Sequence, residues 1–332
     1  MRVLITGGTG QDGRFLGPLL SKMGHEVHVC TTKPAKSLTA TVKADLASAQ
    51  FHYEIDHSAG KIHNLILDIE PDWIFNLAGL SSVIDSFSRA RENEDINFGY
   101  VESVLSASNE LNRRKEVRVY QASSSEIFGD VKKSPQNELI GFNPISPYGK
   151  SKLKAHLLCQ MYREKFDLFV TCGILYNHES EKRPLTFVSK HVVSQVVAIA
   201  MGDANKLEIG NTTSKRDWGF AGDYVDAMTK MIIHDQPEDF VVASGKSRSV
   251  KELIEKVFYA AGLDNKVDYY LSIEQGRNRS IDHTNLIGDA SKATDLLGWK
   301  PSLTFDDLIQ RMVNFEIDNY DAMLRSNTIE LK

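Results

Sequence analysis

The fold is decided by the stretch Arg2-Val3-Leu4-Ile5-Thr6-Gly7-Gly8-Thr9-Gly10-Gln11-Asp12-Gly13. A short, β-branched apolar run ends in glycines. An amphipathic stretch with Phe15, Leu16, Leu19, Leu20 and Met23 follows. Strand, glycine turn and helix in that order form the context a dinucleotide-binding loop requires. Gly7, Gly10 and Gly13 carry the spacing G-x-x-G-x-x-G. Small residues let the backbone turn tightly and approach a pyrophosphate. The helix beginning near Gln11 offers free N–H groups and the positive end of its dipole.

The same alternation continues outward. Val27 to Cys30 reads as a second strand, and Ile62, Leu65, Ile66 and Ile69 form a helix face. Residues 73–77 read as a strand, 97–111 as a helix and 117–122 as a strand. A helix starts near Ser151, and 168–171 is a further strand. Repeated βα units predict an α/β fold with a doubly wound parallel sheet, a Rossmann domain. After about residue 178 the pattern loosens into helices near 187–200, 223–233 and 249–262, and a helix and turn at 289–301. The expected division is a nucleotide-binding domain over 1–178 with a return segment near 217–243. Residues 179–332 then form mainly a smaller α/β substrate-binding lobe over the C-terminal edge of the sheet.

Of 332 residues, 42% are hydrophobic and 25% charged, which excludes a disordered or low-complexity chain. The net charge of −5 gives no support for a nucleic-acid or membrane-surface partner. No stretch reaches the roughly 18 consecutive apolar residues of a membrane span, and the start of the chain lacks the pattern of a secretory signal. Cys30, Cys159 and Cys172 are odd in number, far apart and without C-x-x-C spacing, so they read as reduced thiols of a cytoplasmic protein. The histidines make no compact ligand set, and no metal is expected.

An adenine dinucleotide lacking a 2′-phosphate usually meets an acid at the end of the second strand. Here Cys30-Thr31-Thr32-Lys33 stands there. The hydroxyl of Thr32 and the ammonium of Lys33 suit a 2′-phosphate, so NADP is expected over NAD. Tyr148-Gly149-Lys150-Ser151-Lys152 contains Y-x-x-x-K, and i and i+4 share a helix face. A free tyrosine has a pKa of about 10, so a tyrosine base near pH 7 needs about 4 kcal/mol of preferential phenolate stabilisation. Lys152 and an oxidised nicotinamide are the expected sources. The strand ending in Ser123-Ser124-Ser125 supplies hydroxyls for the same site.

These residues, with several longer blocks, resemble an extended short-chain dehydrogenase/reductase, and more narrowly the GDP-mannose 4,6-dehydratase family. The blocks are Ile5 to Gly13, Tyr120-Gln121-Ala122-Ser123-Ser124-Ser125-Glu126-Ile127-Phe128-Gly129, Ser146-Pro147-Tyr148-Gly149, Asn177-His178-Glu179-Ser180, Lys215-Arg216-Asp217-Trp218-Gly219 and Gly298-Trp299-Lys300-Pro301. The glycine loop and Y-x-x-x-K belong to the whole superfamily, whereas Gln-Ala-Ser-x-Ser-Glu, Asn-His-Glu-Ser and Arg-Asp-Trp-Gly mark the narrower family.

The resemblance implies water loss across carbons 5 and 6 of a nucleotide hexose, giving a 4-keto-6-deoxy sugar. Tyr148 would take the 4-hydroxyl proton, with Ser124 on the 4-oxygen and Lys152 on the cofactor ribose. Glu126 would remove the carbon-5 proton and protonate the departing 6-hydroxyl. The implied cofactor set is Gly7, Thr9, Gly10, Gln11, Asp12, Gly13, Thr32, Lys33, Asp56, Leu77, Ala78, Gly79, Tyr148, Lys152, Asn177, His178 and Arg183. The implied substrate set is Ser81, Ser124, Glu126, Asn177, Val188, Lys190, Arg216 and Arg279, with Arg216 and Arg279 as a diphosphate clamp. Asn76 reads as a cofactor neighbour or a turn-former, and His178 as structural more than catalytic.

Ser124 replaces the family's threonine but keeps a hydroxyl. Thr186-Phe187-Val188-Ser189-Lys190-His191 differs from the family's base-binding stretch, and Asp282 stands where a glutamate is usual. The resemblance implies GDP-mannose or a related GDP-sugar as substrate, and these departures open the sugar to a heptose or another hexose. A 4-keto-sugar reductase consuming NADPH is the competing enzyme, followed by an epimerase or decarboxylase of the superfamily and a non-catalytic dinucleotide-binding protein. The arm that pairs dimers into tetramers is reduced to residues 31–37. A homodimer through the helices starting near Asn97 and Ser151 is expected, with a homotetramer as the other arrangement.

Overall fold

The structure, a computed structural model, describes residues 1–49, 51–56, 58–273 and 286–329. Its strands are β1 (Arg2–Thr6), β2 (Glu26–Thr31), β3 (Phe51–Glu54), β4 (Trp73–Asn76), β5 (Arg118–Ala122), β6 (Phe169–Leu175), β7 (Asn177–Glu179), β8 (Leu207–Ile209), β9 (Lys215–Phe220), β10 (Asp239–Val242), β11 (Ser247–Ser249) and β12 (Leu271–Ile273). β1 to β6 and β10 form one parallel sheet in the order β10-β6-β5-β4-β1-β2-β3. The chain moves outward from β1 to β3, then crosses back to β4 on the other side of β1. That reversal opens a crevice at the C-terminal ends of β1 and β4, where such sheets bind ligands.

Both faces of the sheet are covered, which is why its strands read as continuous apolar runs. Successive side chains point to opposite faces. Val3 and Ile5 pack with Leu16, Leu20, Met228 and Trp299 on one side. Leu4 packs with Ile62, Ile66, Val104 and Leu105 on the other. The first helix, Gln11–Lys22, contains Pro18. A proline cannot donate to the carbonyl four residues back, and Lys182 Nζ donates to that Arg14 oxygen instead, at 3.2 Å.

The C-terminal half contributes to two bodies. Helix Ala221–Ile233 and β10 join the large sheet, and so does Trp299, whose indole donates to the Asp223 carbonyl at 2.8 Å. The sequence did not separate the 289–301 turn from the lobe, because its apolar residues carry no mark of which core they fill. The remaining segments enclose a separate core of Val192, Val196, Trp218, Val257, Leu308 and Met312. β7, β9 and β11 form a small mixed sheet between these bodies. Two boundaries differ from the sequence reading. The strand expected over 168–171 runs on to Leu175 as β6, and Asn177 opens β7. The helix expected from Asn97 begins at Tyr100, after a π-helical turn over Asp95–Gly99 that turns Asn97 inward.

Gly7 adopts φ +64°, and a Cβ there would lie 2.9 Å from Ala78 backbone atoms. The turns after β1 and β4 therefore touch. Gly13 is as constrained, since its Cβ would stand 2.4 Å from the Gly8 Cα. Gly13→Ala is expected to destabilise the protein by about 1–3 kcal/mol through overpacking, measured by chemical denaturation.

Candidate active site

Strand register brings Thr6, Asn76 and Gln121 to one level at the C-terminal edge. Thr6 Oγ1 donates to Asn76 Oδ1 at 2.5 Å, and Asn76 Nδ2 donates to Gln121 Oε1 at 2.7 Å. The same threonine oxygen accepts the N–H groups of Leu77 and Ala78, each at 3.1 Å. Asn76 is fully buried, so it fastens three strands and shapes the turn without facing the crevice. Asn97 grips the far end of this turn, accepting from the Leu80 N–H at 3.1 Å and donating to its carbonyl at 3.0 Å.

A cavity of about 430 Å³ opens over this edge. The structure brings Gly7, Thr9, Gly10, Gln11, Asp12, Gly13, Thr32, Leu77, Ala78, Gly79, Ser81, Ser124, Glu126, Tyr148, Lys152, Asn177, His178 and Arg183 to its walls. Tyr100, Ser123, Tyr176 and Phe187 also line it. Ser123 belongs to the expected serine end of β5, whereas sequence reasoning gave Tyr100, Tyr176 and Phe187 no place here, because an aromatic side chain beside a motif carries no signal of its own.

The catalytic candidates come from two elements. Ser146 caps helix Pro147–Phe166 by accepting the Gly149 N–H at 2.9 Å, with Pro147 in the first turn. This sets Tyr148 at the helix start and Lys152 one turn on. Ser124 caps the short 3₁₀ turn Ser125–Ile127 that carries Glu126. Gly149 lets the two elements meet: a Cβ there would lie 2.6 Å from the Glu126 carbonyl oxygen. Lys152 Nζ donates to the Ala122 carbonyl at 3.0 Å and lies 5.9 Å from the Tyr148 ring centre. Burial lowers its pKa to about 8. Burial raises Tyr148 to about 12, against a hydrogen bond from Ser124. In the ligand-free protein Tyr148 therefore holds its proton, and Lys152 does not offset its burial.

The Asn-His-Glu-Ser stretch is tied to the glycine-loop helix. Gln11 Nε2 donates to the His178 carbonyl at 3.0 Å, and Ser180 Oγ donates to Gln11 Oε1 at 2.7 Å. His178 Nε2 lies 3.0 Å from Asp12 Oδ2. Glu179 is buried, pairs with Arg183 at 3.1 Å and accepts a hydrogen bond from Ser189. Arg183 in turn lies 3.6 Å over the Phe187 ring.

Five predicted residues stand off the cavity wall. Lys190 is buried against Glu316 and Phe315, an ion pair that turns it into the lobe. Val188 packs on the lobe core. Arg216 lies on β9 and donates to the Lys215 carbonyl at 2.6 Å. Asp56 is exposed and pairs with Lys61 at 2.6 Å, which with the Ser58 N–H keeps its carboxyl well below the usual range. Lys33 is exposed just beyond Thr32. Arg279 and Asp282 lie outside the described residues. The three cysteines are free and buried. His156, Cys172 and Asp239 converge within 4.8 Å, a grouping drawn from three elements and invisible in sequence spacing. Asp239 is already engaged there by Arg163 at 2.6 Å and Gln160 at 2.8 Å.

A doubly wound sheet with a glycine loop at its switch point, and a Ser–Tyr–Lys set on the same crevice, define an extended short-chain dehydrogenase/reductase. Within that class, residues 4–312 match the family model for GDP-mannose 4,6 dehydratase, and the chain belongs to that family. It is 35% identical to the GDP-mannose 4,6 dehydratase of Cricetulus griseus over 98% of this chain and 92% of that one. It is 38% identical to GDP-mannose 4,6 dehydratase 2 of Arabidopsis thaliana over 95% and 86%. Among solved structures, the UDP-glucose 4-epimerase of Thermotoga maritima superposes with a TM-score of 0.83 at 20% identity, covering 96% of this chain and all of that one. No helix among the described residues is long and apolar enough to cross a membrane.

Proposed function

We propose that the protein is a hydro-lyase that converts GDP-mannose, or a related GDP-sugar such as a GDP-heptose, into the 4-keto-6-deoxy sugar using bound NADP. One observation carries this reading: Glu126 shares a cavity wall with Tyr148, Lys152 and the glycine loop. The loop fits a dinucleotide, because its glycines pack the turn tightly against Ala78 and Val29 and it lies on the cavity wall at the N-terminus of helix Gln11–Lys22. A bound nicotinamide would accept hydride from carbon 4 and return it to carbon 6.

This chain's own groups do the rest. Tyr148 takes the 4-hydroxyl proton, and Ser124 hydrogen-bonds the same oxygen. The resulting ketone acidifies carbon 5. Glu126 removes that proton and delivers one to the departing 6-hydroxyl, which leaves as water. Once carbon 6 is reduced, carbon 5 takes back a proton, which balances the one Tyr148 removed from the 4-hydroxyl. A simple reductase needs no group in this role, so Glu126 favours the lyase. Asn177 and Ser81 line the sugar side. Arg183 faces the dinucleotide, while Arg216 with Arg279 remains the proposed diphosphate clamp.

NADP is favoured because β2 ends in Thr31, held by Thr9 at 2.8 Å, and runs into exposed Thr32 and Lys33 with no carboxylate. Lys33→Glu is expected to weaken NADP⁺ binding by about tenfold, the scale of a surface charge reversal, and to leave NAD⁺ binding little altered. Titration with both dinucleotides checks this. A dimer is proposed through helices Tyr100–Asn112 and Pro147–Phe166, where Leu157 is exposed, together with Ile84 and Phe87 on the adjoining helix Val83–Ser88. Size-exclusion chromatography with light scattering tests it. The proposed site of action is the cytoplasm.

The function is tested by incubating the protein with a panel of nucleotide sugars and catalytic NADP⁺. The lyase gives a product lighter by one water with no net change in nicotinamide absorbance. No water loss across that panel, with stoichiometric consumption of NADPH in a parallel incubation with a 4-keto nucleotide sugar, would establish the reductase instead.

A further inference from the structure

Asp12 occupies the first turn of the helix that the glycine loop feeds. A carboxylate there interacts well with the helix dipole, yet it competes with a pyrophosphate for the same positive end. Its partner is His178, held 3.0 Å from Asp12 Oδ2 through Nε2. The other ring nitrogen, Nδ1, lies 2.8 Å from the Tyr176 carbonyl oxygen. Both neighbours are acceptors. A neutral imidazole has one N–H and can satisfy only one of them. The geometry therefore requires a proton on each ring nitrogen, or one proton shared with the carboxylate.

The two side chains are only 12% and 19% exposed, so water does little to screen the pair. The other groups facing His178 are consistent with a cation. The Tyr224 ring, from helix Ala221–Ile233, stacks on the imidazole with centroids 4.6 Å apart. Among the described residues Arg183 opposes it, and Glu179 engages that guanidinium at 3.1 Å. Burial works against the imidazolium, but the Asp12 carboxylate and its hydrogen bond outweigh that and hold the His178 pKa above its usual value.

We propose that Asp12 and His178 act as one neutral, proton-holding unit that positions the glycine loop for the dinucleotide. Protonated His178 cancels a carboxylate that would otherwise repel the pyrophosphate. Both are positioning residues, and the inference rests on the dinucleotide reading above. The sign follows directly. As pH rises through the elevated His178 pKa the proton leaves, the Asp12 charge stands uncompensated, and cofactor affinity falls.

The test is NADP⁺ affinity of the full chain, read by titration calorimetry between pH 6 and 10, with NAD⁺ in parallel. At neutral pH, His178→Gln is expected to weaken binding by about tenfold or more, the size of a like-charge interaction near a protein surface. Adding Asp12→Asn to it should recover most of that loss, because the stranded charge is gone. A purely structural clamp predicts the opposite: the double variant would bind no better than His178→Gln, and that result overturns the proposal. Asp12→Asn alone is the second arm and stands even if His178→Gln does not fold. With no carboxylate left to strand, it should lack the fall in affinity above neutral pH that the pair causes, and superimposable profiles would overturn the proposal. Lys152 titrates in every variant, so the difference between profiles isolates the pair. Wild-type protein that binds neither dinucleotide would instead overturn the dinucleotide reading itself.

Discussion

Glu126→Gln is expected to slow water loss by about 10²–10⁴-fold, the usual consequence of removing a general acid–base group. The reasoning is local. The variant keeps the size of the side chain and the Ser124 cap on the residue 126 N–H, but it cannot take a proton from carbon 5. Tyr148 and Lys152 stand on a different helix and keep their places, and loss of the Glu126 charge removes one influence that raises the Tyr148 phenol. Oxidation at carbon 4 is therefore expected to proceed and stall, so reduced nicotinamide accumulates in a single turnover with excess enzyme. Normal dehydration by this variant would remove Glu126 from the mechanism.

Tyr148→Phe is expected to lose a similar factor, about 10²–10⁴, but at an earlier point. Without the phenolic oxygen no base meets the 4-hydroxyl, so no reduced nicotinamide appears even in a single turnover. The two variants are thus separated by one absorbance trace. The pH profile adds a second check. Burial lowers Lys152 to about 8 and raises Tyr148 to about 12 in the ligand-free protein. The ammonium that favours the phenolate is lost as pH rises past about 8, so kcat/KM should fall on that side. In Lys152→Met the residual activity should lack that limb. A profile that climbs smoothly beyond pH 8 would contradict the role given to Lys152.

Much of the scaffold was legible because its signals are local and periodic. The glycine loop, the βα alternation and Y-x-x-x-K each lie within one short window. Gly7 and Gly13 are needed for close backbone approaches that their spacing implied. What escaped the sequence depends on contacts between distant segments. Asn76 was ambiguous because its partners, Thr6 and Gln121, lie on two other strands. The bonds from Gln11 and Asp12 to the 178–180 segment span more than 160 residues. They give a physical reason for two motifs to occur together that no single window contains. Lys190 was assigned to the substrate by resemblance, and the ion pair with Glu316 that turns it into the lobe comes from the far C-terminal helix.

The central claim is that one cavity oxidises, eliminates and reduces in succession, with hydride lent at carbon 4 and returned at carbon 6. GDP-mannose carrying deuterium at carbon 4 tests this most directly, with sub-stoichiometric NADP⁺ and mass-spectrometric analysis of the product. The account predicts a dehydrated sugar with the label at carbon 6. Label lost to solvent, or collected in free reduced cofactor, would contradict it.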